Sequence, residues 1–166
     1  INMAWEEYIK QAKISEQNFA KNLIDPTWAN KYENIKEHWD VKGTYKNKLY
    51  KFDVKGMKKR NRWDNNSQDD IAWVEGTNVR GEPGWVKGKA DYIVFERNKY
   101  WLLVDRQELL NYVVDKLKEK GYEKGKGIYK IYQREGRLDK ITMVPYEDIE
   151  KLTNIEKVQK NENSTI

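Results

Sequence analysis

Two aspartates and a lysine stand out along the segment His38-Trp39-Asp40-Val41-Lys42-Gly43-Thr44-Tyr45-Lys46-Asn47-Lys48-Leu49-Tyr50-Lys51-Phe52-Asp53-Val54-Lys55. A two-residue turn at Lys46-Asn47 folds it into a hairpin, and counting outward sets Asp40 opposite Asp53 and His38 opposite Lys55. Alternation gives one face to Trp39, Val41, Tyr45, Tyr50, Phe52 and Val54, and the other to His38, Asp40, Lys42, Lys51, Asp53 and Lys55. Opposed side chains have Cβ atoms about 5 Å apart, and like charges at that spacing repel. A divalent cation between the two carboxylates turns the repulsion into coordination. The Val54 carbonyl is a further oxygen ligand in reach, and Lys55 shares a face with Asp53.

Glu16 is the third carboxylate. Residues 3–24 read as a helix with Trp5, Ile9, Ala12, Phe19, Ala20 and Leu23 on one face. Glu16 projects from the middle of that stripe, where a carboxylate costs stability unless it is paired or binds a cation. With the helix across the active face of the sheet, Glu16 points toward the aspartates.

Hydrolysis of a phosphodiester requires an activated water, neutralisation of the scissile phosphate and a stabilised leaving oxygen. Magnesium held by two or three carboxylates supplies much of all three, and a nearby lysine orients water or offsets developing charge. The plainer alternative is a solvated hairpin in which Asp40 and Asp53 pair diagonally with Lys42 and Lys51, with Glu16 snorkelling or paired to a lysine. A bulge at Gly43 would send Asp40 to the other face.

Composition narrows the chemistry. There is no cysteine and a single histidine, His38, so thiolate and multi-imidazole sites are excluded. Any metal is bound by oxygen, favouring magnesium, manganese or calcium over zinc. His38 itself reads as a surface residue. The net charge of +5 points to an anionic partner, nucleic acid first. Lys58, Lys59, Arg60, Arg62 and Trp63 mix cations with an aromatic in a polar loop, suited to backbone contact and stacking. Trp85, Lys87 and Lys89 could extend that surface, although a tryptophan at 85 is more often a core plug than a stacking platform. Glu75 and Asp91 lie at strand ends near enough to join a site. The glycines between Gly76 and Gly88 lack the ending of a phosphate-binding loop.

The remaining elements follow from periodicity. Asp25-Pro26 ends the first helix. Strands are expected at 71–74, 90–95, 100–104, 127–133 and 138–144, the second and third forming a central hairpin. Asp105 caps a helix running to about Lys120, with Glu108 as its capping-box partner and Gly121 as its stop. A short helix closes the domain at 145–152, and the tail from Thr153 to Ile166 is expected to fray. One domain over 1–152 is therefore expected, an α/β architecture with a central mixed sheet flanked by helices. No membrane span is visible. No signal-peptide pattern precedes the first helix, Ile1 is not an initiator residue, and a processed N-terminus and a cytoplasmic location are expected. Heavy use of lysine and asparagine points to an AT-rich, viral genome.

Glu16, Asp40 and Asp53-Val54-Lys55, in that order and spacing, resemble the PD-(D/E)xK nuclease superfamily. Its members place an acidic residue on a first helix, an aspartate on the next strand and a (D/E)-x-K strand after it. The stretch Gly84–Phe95 is similar to the strand that follows the site in small phage-type members. Trp39 stands where the motif often has proline. The resemblance covers about residues 5–120. It implies a restriction-endonuclease-like α-β-β-β-α-β core and a magnesium- or manganese-dependent nuclease acting on DNA, cytoplasmic in the host if viral. Glu16, Asp40, Asp53 and the Val54 carbonyl would be metal ligands, Lys55 the catalytic lysine, and Lys58, Arg60, Arg62 and Lys87 the backbone contacts. Many members pair as homodimers to cut both strands. Two other functions use the same surface: a non-catalytic nucleic-acid-binding module, and a protein–protein adaptor or inhibitor.

Overall fold

The computed structural model describes residues 2–58 and 70–160. In chain order the elements are α1 (Asn2–Ala20), β1 (Ile24–Trp28), a π-helical turn (Glu33–Glu37), β2 (Val41–Tyr45), β3 (Lys48–Lys55), β4 (Ile71–Thr77), a 3-10 turn (Trp85–Lys87), β5 (Tyr92–Glu96), β6 (Tyr100–Asp105), α2 (Arg106–Glu119), β7 (Lys140–Pro145), α3 (Tyr146–Ile149) and β8 (Ile155–Gln159). Six strands make one sheet in the order β1-β2-β3-β5-β6-β8, and β4 pairs with β7 in a separate ribbon. Among the described strands of this sheet only β3 and β5 pair in parallel, so the sheet is mixed and the class is α/β. Among the described residues no helix is long and apolar enough to cross a membrane.

Alternation along the central strands divides the core into two layers. Val41, Phe52, Val54, Val94, Trp101 and Leu103 face α1 and pack on Phe19, Ala20 and Leu23. Ile93, Phe95, Leu102 and Val104 face the other way, onto Leu109 and Val113 of α2 and Ala72, Val74 and Val144 of the β4–β7 ribbon. The central hairpin β5–β6 is covered on both faces as its apolar runs predict.

The β2–β3 turn lies where the spacing places it. Lys46 and Asn47 both take positive φ, 48° and 66°, as a two-residue turn matched to the sheet twist requires. Val41 pairs with Phe52 and Lys42 with Lys51 without a bulge at Gly43. At the start of α2, the Asp105 carboxylate accepts the Glu108 N–H at 2.8 Å. Glu108 does not reach back to complete the box; its oxygens take the N–H groups of Thr153 and Asn154. Gly121 ends the helix with φ 66°.

Several boundaries differ from the sequence reading. The first helix stops at Ala20, and Ile24–Trp28 pairs with β2 as an edge strand. An edge tolerates Pro26, and a register shift between Ile24 and Thr27 absorbs it. Trp5 and Ile9 are exposed, so the apolar stripe of α1 is core only toward its C-terminal end. Residues 127–133 make isolated bridges at Ile128 and Tyr132 rather than a strand, interrupted where Tyr129 adopts φ 56°. The strand at 140–145 forms its ladder with β4 and meets that segment only through the bridges Ile128–Met143 and Tyr132–Ile141 among the described residues. The segment from Thr153 is not frayed over its described part: Ile155–Gln159 pairs with β6 from Val104 to Tyr100, so the domain continues past residue 152. Polar outward residues made β8 read as tail, but its backbone completes the sheet edge.

Candidate functional site

The hairpin ladder ends at Val41–Phe52, while β3 continues to Lys55. The Asp40 N–H still donates to the Phe52 carbonyl at 2.8 Å. Just before it the chain turns away, because His38 takes a left-handed conformation at φ 58°. His38 therefore never comes opposite Lys55, and its ring contacts the Pro83 carbonyl at 3.0 Å. The same turn throws Trp39 to the face opposite Val41. There it is buried in the α2 layer, with the ammonium groups of Lys42 and Lys51 5.9 and 5.4 Å from its ring. This corrects the expected shared face of Trp39 and Val41.

Departure of the chain at His38 leaves a notch beside residues 53–55 of β3, and Asp40 fills it. Its Oδ2 accepts the Val54 N–H at 2.7 Å and its Oδ1 accepts from the Asn34 amide at 2.8 Å. Asp53 and Lys55 project from the face of β3 that does not carry α1, being in register with Ile93 and Phe95. Glu16 approaches from α1. The notch lets Asp40 address both, so the three acids form a chain through Asp40 rather than a ring on one face. Among the described residues no group of three His, Cys, Asp or Glu side chains is gathered closely enough to hold a metal ion.

Electrostatics mark the same residues. Burial, then the negative charge of Asp40, raises the Glu16 pKa to about 7, against a lowering pull from Lys13. Asp53 is 3% exposed, and its burial likewise pushes it up to about 7 even though Lys55 pulls it down. Its Oδ1 meets the Lys55 ammonium at 3.0 Å, while its Oδ2 is buried without a hydrogen bond. Burial alone would lower Lys55, but the charges of Asp53 and Asp40 outweigh it and the net shift is upward. The ammonium also lies 4.6 Å from the centroid of the Trp85 ring. A buried carboxylate oxygen with no donor, next to a second carboxylate, has the chemistry of a cation ligand.

Glu16, Asp40, Asp53, Val54, Lys55 and Lys58 line one cleft of about 500 Å³. Lys87 does not line it and is exposed on the 3-10 turn. Arg60 and Arg62, with Lys59 and Trp63, lie outside the described residues. Asp91 holds the start of β5 against β3, its carboxylate accepting the Lys51 N–H at 2.8 Å. Glu75 contributes to the field at Lys55. The glycine-rich loop serves close packing: a Cβ on Gly84 would stand 2.5 Å from the Glu75 carbonyl oxygen, and one on Gly88 2.6 Å from that of Glu37.

Tyr8, Lys13, Trp28, Lys31 and Asn34 also line the cleft, and sequence reasoning passed over them. Tyr8, Ala12 and Glu16 share a helical face at four-residue spacing, a signal that was present. Trp28 and Asn34 carried none, since β1 and the π-helical turn arise from tertiary pairing. Comparison with known family models, curated proteins and solved structures returned no match.

Proposed function

We propose that this chain is a metal-dependent nuclease that hydrolyses phosphodiester bonds, with DNA as substrate, on a core of the restriction-endonuclease type. The observation that carries the reading is Asp40 lying against both Glu16 and Asp53, with the buried Asp53 Oδ2 lacking a donor and Lys55 3.0 Å from Oδ1. Asp40 and Asp53, with Glu16 and the Val54 carbonyl beside them, would hold magnesium or manganese. Bound there, the ion supplies charge neutralisation at the scissile phosphate and makes water more acidic.

The chain's own groups do the rest. Lys55 carries a fixed positive charge beside the acids, suited to orienting water or offsetting charge that develops on phosphate. Glu16, with a pKa of about 7, can hold or release a proton near neutral pH. Lys13, Lys31 and Lys58 line the cleft and favour an anionic backbone. Arg60 and Arg62 are assigned the same role from sequence.

A non-catalytic nucleic-acid-binding module is the second reading. Its support is that Lys55 already neutralises Asp53 and that the acids do not form a closed cage among the described residues. Labelled single-stranded, duplex and branched DNA, and RNA, incubated with magnesium, manganese or EDTA, separates the two. Cleavage that EDTA abolishes, and that Asp53→Ala and Lys55→Ala both lose, supports the nuclease. Absence of cleavage, with no saturable manganese site by calorimetry, supports the module.

A further inference from the structure

Two large aromatic rings along the acidic cleft are exposed to solvent. Tyr8 and Trp28 both line the cleft that contains Glu16, Asp40 and Asp53, and they are 54% and 47% exposed. They approach from different elements. Tyr8 stands eight residues before Glu16 on α1, about 12 Å along the helix axis. Trp28 closes β1 and is the register partner of Val41, next to Asp40, and the neighbouring Ala29 N–H donates to the Asp40 carbonyl at 2.9 Å. Trp5 stacks on Tyr8 at 5.9 Å with an interplanar angle of 18° and lengthens the aromatic surface outward. Lys13 and Lys31 line the same mouth.

We propose that Tyr8 and Trp28 form a stacking platform for an unpaired DNA strand that leads into the acidic notch, with Lys13 and Lys31 on its phosphates. The proposal rests on the nuclease reading and names its substrate class. Base faces in a duplex are already stacked on their neighbours, so only an unpaired strand can offer them to exposed rings. Base–aromatic stacking with flanking lysines is the chemistry by which single strands are held without regard to sequence. An apolar protein partner would leave the lysines unmatched, whereas a polyanion uses both features.

The test is fluorescence anisotropy in EDTA, so that binding is read without hydrolysis, with labelled oligo(dT), a hairpin duplex of the same length and oligo(U). The wild-type chain is expected to bind oligo(dT) more tightly than the duplex or oligo(U). Tyr8→Ala and Trp28→Ala are each expected to weaken oligo(dT) binding about tenfold and duplex binding less than twofold. Trp28→Phe recovers most of the loss. Both side chains are half exposed, and thermal melts of the variants confirm that the fold is kept. Preference for duplex or RNA, or unchanged oligo(dT) affinity in both alanine variants, overturns the proposal. So does a wild-type dimer in solution that the alanine variants dissociate, since the rings would then be an interface between copies. Hydrolysis is scored separately: magnesium-dependent cleavage with unchanged binding in the variants leaves the nuclease and removes the platform. Platform binding without cleavage does the reverse.

Discussion

The Asp40 carboxylate accepts the Val54 N–H at 2.7 Å, so the acid that anchors the notch is also part of the backbone pairing of β3. Asp40→Asn keeps one oxygen, enough to accept the Val54 N–H but not the Asn34 amide as well, and removes the charge that helps raise Glu16. Thermal denaturation should show a change within about 1 kcal/mol, whereas Asp40→Ala, which leaves the Val54 N–H and the Asn34 amide without their acceptor, should cost about 1–3 kcal/mol. Both should lose cleavage. Equal stability of the two variants would show that the hydrogen bond contributes nothing.

The Lys55 ammonium lies 3.0 Å from the buried Asp53 carboxylate. Lys55→Met is expected to lower turnover by about 10²–10³-fold, read by single-turnover cleavage with magnesium. It also removes the group that pulls the Asp53 pKa down, so its stability deficit should be larger at pH 8 than at pH 5. A deficit independent of pH would mean that the ion pair does not govern Asp53.

Glu16 and Asp53 both titrate near pH 7 in the folded chain, against about 4 for unperturbed carboxylates. A carboxyl with a raised folded pKa binds its proton more tightly when folded, so its contribution is fully present below about pH 4 and lost as pH rises through about 7. In EDTA the Tm should therefore fall by several degrees between pH 5 and pH 8, and Glu16→Gln with Asp53→Asn should flatten that slope. Manganese should raise the Tm more at pH 8 than at pH 5, because it competes with protons. A flat profile in EDTA would remove the argument for strained carboxylates.

Phe19 joins α1 to the sheet: it is fully buried, with ring centroids 5.1 Å from Phe52 and 5.5 Å from Trp101. Phe19→Ala should cost about 3–5 kcal/mol by urea denaturation. Because the same helix positions Glu16, magnesium affinity should fall with it.

Truncation after Leu152 tests the β8 edge. Removing Ile155–Gln159 strips the backbone partners of Tyr100 to Val104 and exposes the edge of β6, where Trp101, Leu102, Leu103 and Val104 are buried. The shortened chain should melt lower and aggregate through that edge, visible as a concentration-dependent rise in light scattering. A monomer with wild-type Tm would mean that β8 is dispensable.

Local pattern alone specified the Lys46-Asn47 turn, the β2–β3 register from Val41–Phe52 to Tyr45–Lys48, the β5–β6 hairpin and the Asp105 cap, because each depends on residues a few positions apart whose backbone preferences agree. The approach of Glu16 to Asp40 was also legible, since a carboxylate inside an apolar helix stripe demands a reason. Tertiary structure decided what depends on distant partners. The left-handed His38 opens the notch, Trp39 crosses to the α2 layer, and Asp53 faces away from α1, so the acids meet through Asp40 and not on one face. Ile24–Trp28 and Ile155–Gln159 became strands only because β2 and β6 offered open edges, and an edge rewards backbone pairing whatever its side chains say. That same edge pairing brought Trp28 beside Asp40, a proximity that no spacing along the chain encodes.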